Sequence, residues 1–118
     1  MAQKAIKQIK EEFADMYSQN FDFSIGDGWF PLVYNLSKAI NEIEPEVRVL
    51  QVKEKFGGLR FYINGYKDEK VYQLIKKAES ESYITCEDCG SKENVSLGGK
   101  WWVKTLCDKC RDSKANGG

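Results

Sequence analysis

The chain has 118 residues, eighteen basic and eighteen acidic, and no histidine. That length fits one compact domain or a small domain with a stapled appendage, and the even balance supplies no global field to recruit nucleic acid. Without histidine there is neither the commonest general base nor a mixed cysteine–histidine metal site, and no stretch approaches the roughly eighteen apolar residues of a membrane span.

Residues 3–19 predict an amphipathic helix, with Ile6, Ile9, Phe13, Met16 and Tyr17 on one stripe and Lys7, Lys10, Glu11, Glu12 and Asp15 elsewhere. The pattern breaks over residues 20–28, which close on Gly26-Asp27-Gly28. A second helix is expected over 29–43. Pro31 is tolerated in its first turn, Trp29, Val33, Leu36, Ile40 and Ile43 form its buried face, and Pro45 stops it.

Residues 47–56 and 59–64 read as strands separated by Gly57-Gly58. Two glycines there predict a type I′ hairpin with positive φ at both, pairing Phe56 with Leu59 and Glu54 with Phe61. One face then carries Val52, Phe56, Leu59, Phe61 and Ile63 plus Glu54, and the other Lys53, Lys55, Arg60 and Tyr62. Asp68 is the expected N-cap of a third helix to about residue 83, with Val71, Leu74, Ile75, Ala78 and Ser82 inward.

The four cysteines fall in two Cys-x-x-Cys pairs, Cys86 with Cys89 and Cys107 with Cys110, separated by seventeen residues. Such a turn aims two sulfurs at one centre. Four thiolates suit one tetrahedral Zn²⁺ in a closed shell that offers no open position for catalysis. Gly90, just after the second cysteine, supplies the backbone freedom that the turn needs. The competing readings are two disulfides and a redox dithiol. Disulfides need an oxidising compartment, and the opening Met1-Ala2-Gln3-Lys4-Ala5-Ile6-Lys7 lacks the apolar run of a secretory signal. A redox dithiol needs one pair at a βα junction rather than two matched pairs.

Four thiolates on one Zn²⁺ would also leave the protein mildly acidic. Within the cysteine segment, 95–97 and 100–106 predict a second hairpin across Gly98-Gly99, and the polar tail 111–118 is expected to fray. If Cys107 and Cys110 open a short helix, the module is a treble clef; if both pairs sit on knuckles, it is a zinc ribbon. The expected organisation is an α+β body over 1–83, with helices packed on an antiparallel hairpin-based sheet, followed by a zinc module and tail over 84–118.

The run Val52-Lys53-Glu54-Lys55-Phe56-Gly57-Gly58-Leu59-Arg60-Phe61-Tyr62, with Gly26-Asp27-Gly28-Trp29 and Lys104-Thr105-Leu106-Cys107-Asp108-Lys109-Cys110, resembles small uncharacterised proteins of bacteriophages and prophages. The likeness spans most of residues 26–110. It implies a phage or mobile-element origin and a bacterial cytoplasm, and brings no activity or catalytic residues with it.

Two surfaces are candidate partner-binding sites. Lys53, Lys55, Arg60 and Tyr62 set cations beside a ring, which suits phosphates with base stacking or, through Arg60, a carboxylate of a protein partner. A solvated sheet face accounts for the same residues without a partner. Trp101 and Trp102 point to opposite sides of a strand beside Lys100, Lys104, Lys109 and Arg111, and the core of a minimal zinc fold also explains them. Glu11, Glu12, Glu42, Glu44 and Glu46 read as solvated, and Asp27 as a turn residue. No phosphate-binding glycine loop, nucleophile elbow or metalloprotease motif is present. The expectation is a non-enzymatic zinc-containing interaction protein that binds, inhibits or redirects a bacterial host protein or nucleoprotein machine. A sequence-tolerant DNA- or RNA-binding accessory protein is the alternative.

Overall fold

The computed structural model describes residues 3–19, 21, 23–99 and 103–117, and of residues 3 and 114–117 only the backbone. In chain order it contains α1 (Gln3–Glu12), β1 (Phe23–Ser24), a 3₁₀ turn (Asp27–Trp29), α2 (Phe30–Ile43), β2 (Val49–Lys55), β3 (Gly58–Ile63), α3 (Glu69–Ser82), β4 (Val95–Gly98), β5 (Lys104–Cys107) and α4 (Asp108–Gly117). The fold is α+β, with helices packed against one small sheet and a second hairpin in the cysteine segment.

The apolar stripes predict the packing faces well. Val33, Leu36 and Ile40 of α2 are buried, as are Val71, Ala78 and Ser82 of α3, against Val49, Val52, Leu59 and Phe61 of the sheet. Asp68 caps α3 as expected, its carboxylate accepting from Lys70 N at 2.9 Å. The first helix is shorter than its stripe. After Glu12 the chain continues in turns, joined by Phe13 N to Ile9 O and Tyr17 N to Phe13 O at 3.0 Å each. Those turns still deliver Phe13, Met16 and Tyr17 to the core, where the Tyr17 hydroxyl meets Ser37 Oγ at 2.6 Å.

The sheet is mixed rather than wholly antiparallel. Its order is β1-β2-β3, with β1 parallel to β2 through Phe23 opposite Val52 and Ser24 opposite Lys53. The hairpin register also differs from expectation: Lys55 pairs with Gly58, Glu54 with Leu59 and Lys53 with Arg60. The loop is therefore Phe56-Gly57, at φ 54° and 83°, and Gly58 is not left-handed. The sum of paired residue numbers moves by two, so Val52, Glu54, Leu59 and Phe61 keep one face and Lys53, Lys55, Arg60 and Tyr62 the other, while Phe56, expected on the inner face, leaves the strand for the loop and is exposed.

Close packing decides this register. A β-carbon on Gly57 would overlap Leu97 Cδ1 and sit 3.1 Å from Thr105 Oγ1; one on Gly58 would enter the Tyr83 ring, 3.0 Å from Cε1. Both glycines are needed for approach, so Phe56 is left to occupy the first loop position. A bulky residue held there costs about 1–3 kcal/mol and persists only where its surroundings dictate it.

The second hairpin differs too. Gly98 pairs with Lys104, so the connection is longer than the expected two-glycine turn. The tail is helical to Gly117 rather than frayed from residue 111.

Candidate metal centre

Cys86 and Cys89 sit on a tight knuckle. Gly90 N donates to Cys86 O at 2.9 Å, Cys86 N donates to Ser91 O at 2.8 Å, and Gly90 is left-handed at φ 82°. Cys107 closes β5, and Cys110 lies in the first turn of α4, whose Asp108 N donates to Asn94 O at 3.0 Å. A knuckle, a hairpin and a helix carrying the last ligand make the treble-clef arrangement, not the ribbon.

All four sulfurs lie within 4.8 Å of one another, and Cys89 Sγ is 3.7 Å from Cys107 Sγ. Tetrahedral Zn–S bonds of about 2.3 Å place neighbouring sulfurs about 3.8 Å apart, so this donor set is positioned to bind a metal ion and is compatible with Zn²⁺. Cys86 and Cys107 are buried, Cys110 is half-buried and Cys89 is exposed.

Burial pushes the Cys86 thiol up, but backbone N–H groups of Cys107, Cys89 and Asp88 and the Cys110 thiol outweigh it and bring it down to about 7. Burial and the neighbouring thiols Cys107, Cys86 and Cys89 push Cys110 up. Among sulfurs this close, ionisation of one opposes the next, and a divalent cation is what allows all four to be thiolates.

The body grips this centre directly. Gly28 N donates to Glu87 O at 2.7 Å, and a β-carbon on Gly28 would lie 2.5 Å from Gly90 N and 2.7 Å from Glu87 C. Trp29, fully buried, donates from Nε1 to Thr85 O at 2.9 Å. Gly26 N donates to Glu87 Oε2 at 2.9 Å. Gly26-Asp27-Gly28-Trp29 is thus a cradle for the knuckle, with glycines where backbone meets backbone.

A second grip comes from the β2–β3 hairpin. Thr105 Oγ1 donates to Gly57 O at 2.6 Å, and Glu54 accepts from Gly57 N at 2.7 Å and from Lys104 Nζ at 3.0 Å. Lys104 also lies 3.6 Å from Glu87 Oε1, an oxygen with no hydrogen-bond donor among the described residues. Burial raises the Glu87 carboxyl, against the lowering effect of Lys104 and the Gly26 N–H. Two carboxylates around one ammonium therefore bridge the hairpin and the cysteine segment.

Lys53, Lys55, Arg60 and Tyr62 do share one face, but not as a uniform basic patch. Arg60 Nη1 is 2.9 Å from both oxygens of Glu79 on α3, so its charge is engaged within the chain. Lys53 Nζ lies 5.7 Å from the Tyr62 ring centroid, and Lys55 Nζ lies 5.6 Å from that of Phe56. Trp101, Trp102 and Lys100 lie outside the described residues. Arg111 donates to the carbonyls of Gly98, Ser96 and Lys104 and so ties α4 to its hairpin.

One carboxylate read as solvated is not. Glu44 is 5 % exposed and accepts backbone N–H bonds from Lys67, at 2.7 Å, and Asp68. It anchors the loop ahead of α3, a role no local pattern announces. Glu87 was equally hidden, since a residue between two ligating cysteines is ordinarily exposed. No helix among the described residues is long and apolar enough to cross a membrane. No protein-family model, curated protein or solved structure matches the chain.

Proposed function

We propose that this chain is a non-enzymatic interaction protein whose Cys86, Cys89, Cys107 and Cys110 hold one structural Zn²⁺, and whose β2–β3 hairpin presents the partner-binding face. The observation that carries this reading is the double docking of the hairpin. Its inner side is clamped to the cysteine segment through Gly57, Glu54 and Thr105, while Lys53, Lys55 and Tyr62 are held on the opposite side. A closed four-sulfur shell stabilises the chain and leaves no ligand position for a substrate.

With the resemblance to phage and prophage proteins, the partner is a bacterial host protein or nucleoprotein machine, met in the bacterial cytoplasm, which the protein inhibits or redirects. The second reading, a nucleic-acid accessory protein, has less in its favour because Arg60 is committed to Glu79. Two remaining ammonium groups offer about two phosphate contacts, a weak footing on a polyanion.

The test is capture from bacterial lysate with tagged, zinc-loaded protein, with and without nuclease, beside a Lys53→Ala/Lys55→Ala double variant. A host protein retained after nuclease and lost from the double variant supports the reading. Capture that vanishes with nuclease, or that ignores both lysines, overturns it. Elemental analysis should give one zinc per chain.

A further inference from the structure

Phe56 carries two unfavourable features that neither the fold nor the metal centre uses. Its backbone is left-handed at φ 54°, and its side chain is 67 % exposed, the most open of the large apolar side chains among the described residues. Close packing of Gly57 and Gly58 explains why some residue must take that loop position. It does not explain a phenyl ring, because asparagine or glycine fits a left-handed position at lower cost and hides nothing from partners. Sparsely populated backbone conformations held at a surface tip are a common mark of a binding site.

The surroundings define what the ring meets. Leu97 of β4 is 51 % exposed and lies against Gly57, the next loop residue. Lys55 stands over the Phe56 ring and Lys53 follows on the same strand face, beside the exposed Tyr62. The acidic residue between those lysines, Glu54, is turned inward to Lys104 and Gly57 N. The tip therefore shows apolar surface edged by two ammonium groups, with its carboxylate withdrawn.

We propose that this tip docks an acidic segment of a partner protein that carries an apolar anchor: Phe56 and Leu97 receive the anchor, and Lys53 and Lys55 receive flanking carboxylates. The proposal deepens the interaction reading and rests on it. Charge complementarity selects the occupant. Two ammonium groups match two carboxylates, whereas nucleic acid needs an array of cations. An exposed aromatic at the centre of a small charged rim is the usual form of an interface hot spot.

The experiment is selection of a random-sequence peptide display library on the zinc-loaded protein, followed by fluorescence anisotropy of an enriched peptide. The decisive variant is Phe56→Gly, which relieves the left-handed strain and should raise the melting temperature with zinc content unchanged. Enriched peptides should carry carboxylates beside a large apolar residue, and Phe56→Gly should weaken them about tenfold or more.

Neutral or basic enriched peptides, affinity untouched by Phe56→Gly, or tighter binding to oligothymidine than to any enriched peptide would each overturn it. The two levels separate cleanly. Peptides that respond to Lys53→Ala/Lys55→Ala but not to Phe56→Gly leave the hairpin face standing and remove this inference. Peptides that respond to neither remove both.

Discussion

In the body, a continuous apolar cluster runs from Ile9 through Trp29, Ile40 and Val52 to Val71 and Ala78, whereas the cysteine segment buries Cys86, Leu106 and Cys107 with Val95 and Cys110 against them. The first region buries a large aliphatic and aromatic surface, which stabilises at about 25 cal/mol per Å². The second does not. It is pressed against the body, and its four sulfurs are positioned to bind a metal ion. Small folds without a core of their own commonly draw stability from a bound metal. Yet the contacts between the regions are not those of independent units: backbone meets backbone at Gly28, and hairpin meets hairpin at Gly57.

Metal removal should break that comparison most sharply. Structural zinc sites contribute on the order of 10 kcal/mol of apparent binding energy. A strong chelator should therefore collapse the amide resonances of residues 84–111 while those of Val33, Ile40 and Val71 persist. Loss of both sets together would show that the body has no stability of its own; loss of neither would remove the metal from the account.

Gly28→Ala is expected next in size. The added methyl has no space between Gly90 N and Glu87 C, and overpacking of this kind costs about 1–3 kcal/mol. Denaturant midpoints should fall while zinc stoichiometry stays at one, because the ligands are untouched. An unchanged midpoint would mean that the knuckle is not pressed against the body.

The body alone should fail at alkaline pH through Tyr17. Burial, only partly offset by the Ser37 hydrogen bond, raises its phenol well above the ordinary 10.0. The unfolded chain therefore loses this proton first. The contribution is complete below about pH 10 and is lost above it at up to about 1.4 kcal/mol per pH unit. Tyr17→Phe, melted beside the wild type, should flatten that part of the alkaline limb; parallel curves would count against it.

Arg60→Ala should be the mildest change. The Arg60–Glu79 pair is partly buried, with side-chain exposures of 28 % and 18 %, and pairs of this kind are worth roughly 1 kcal/mol or less. A loss several times larger would make the edge contact between β3 and α3 a main support of the body.

The amino-acid sequence by itself determined the helical faces, the Asp68 cap, the four-cysteine donor set and, Phe56 excepted, the allocation of side chains to the two faces of the hairpin. Each follows from spacing along the chain, which local geometry converts directly into direction: 3.6 residues per helical turn, two per strand repeat, and two sulfurs per Cys-x-x-Cys turn. Only the tertiary structure decided where the hairpin turns, what Glu44 and Glu87 do, and why Arg60 is not free.

The glycine pair shows the reason most clearly. Local turn chemistry assigns Gly57 and Gly58 to the loop, but Tyr83, Leu97 and Thr105 arrive from distant parts of the chain and occupy the space where their β-carbons would be. Spacing specifies which way a side chain points. What it meets there depends on segments that only folding brings together, and that meeting put Phe56 at the tip.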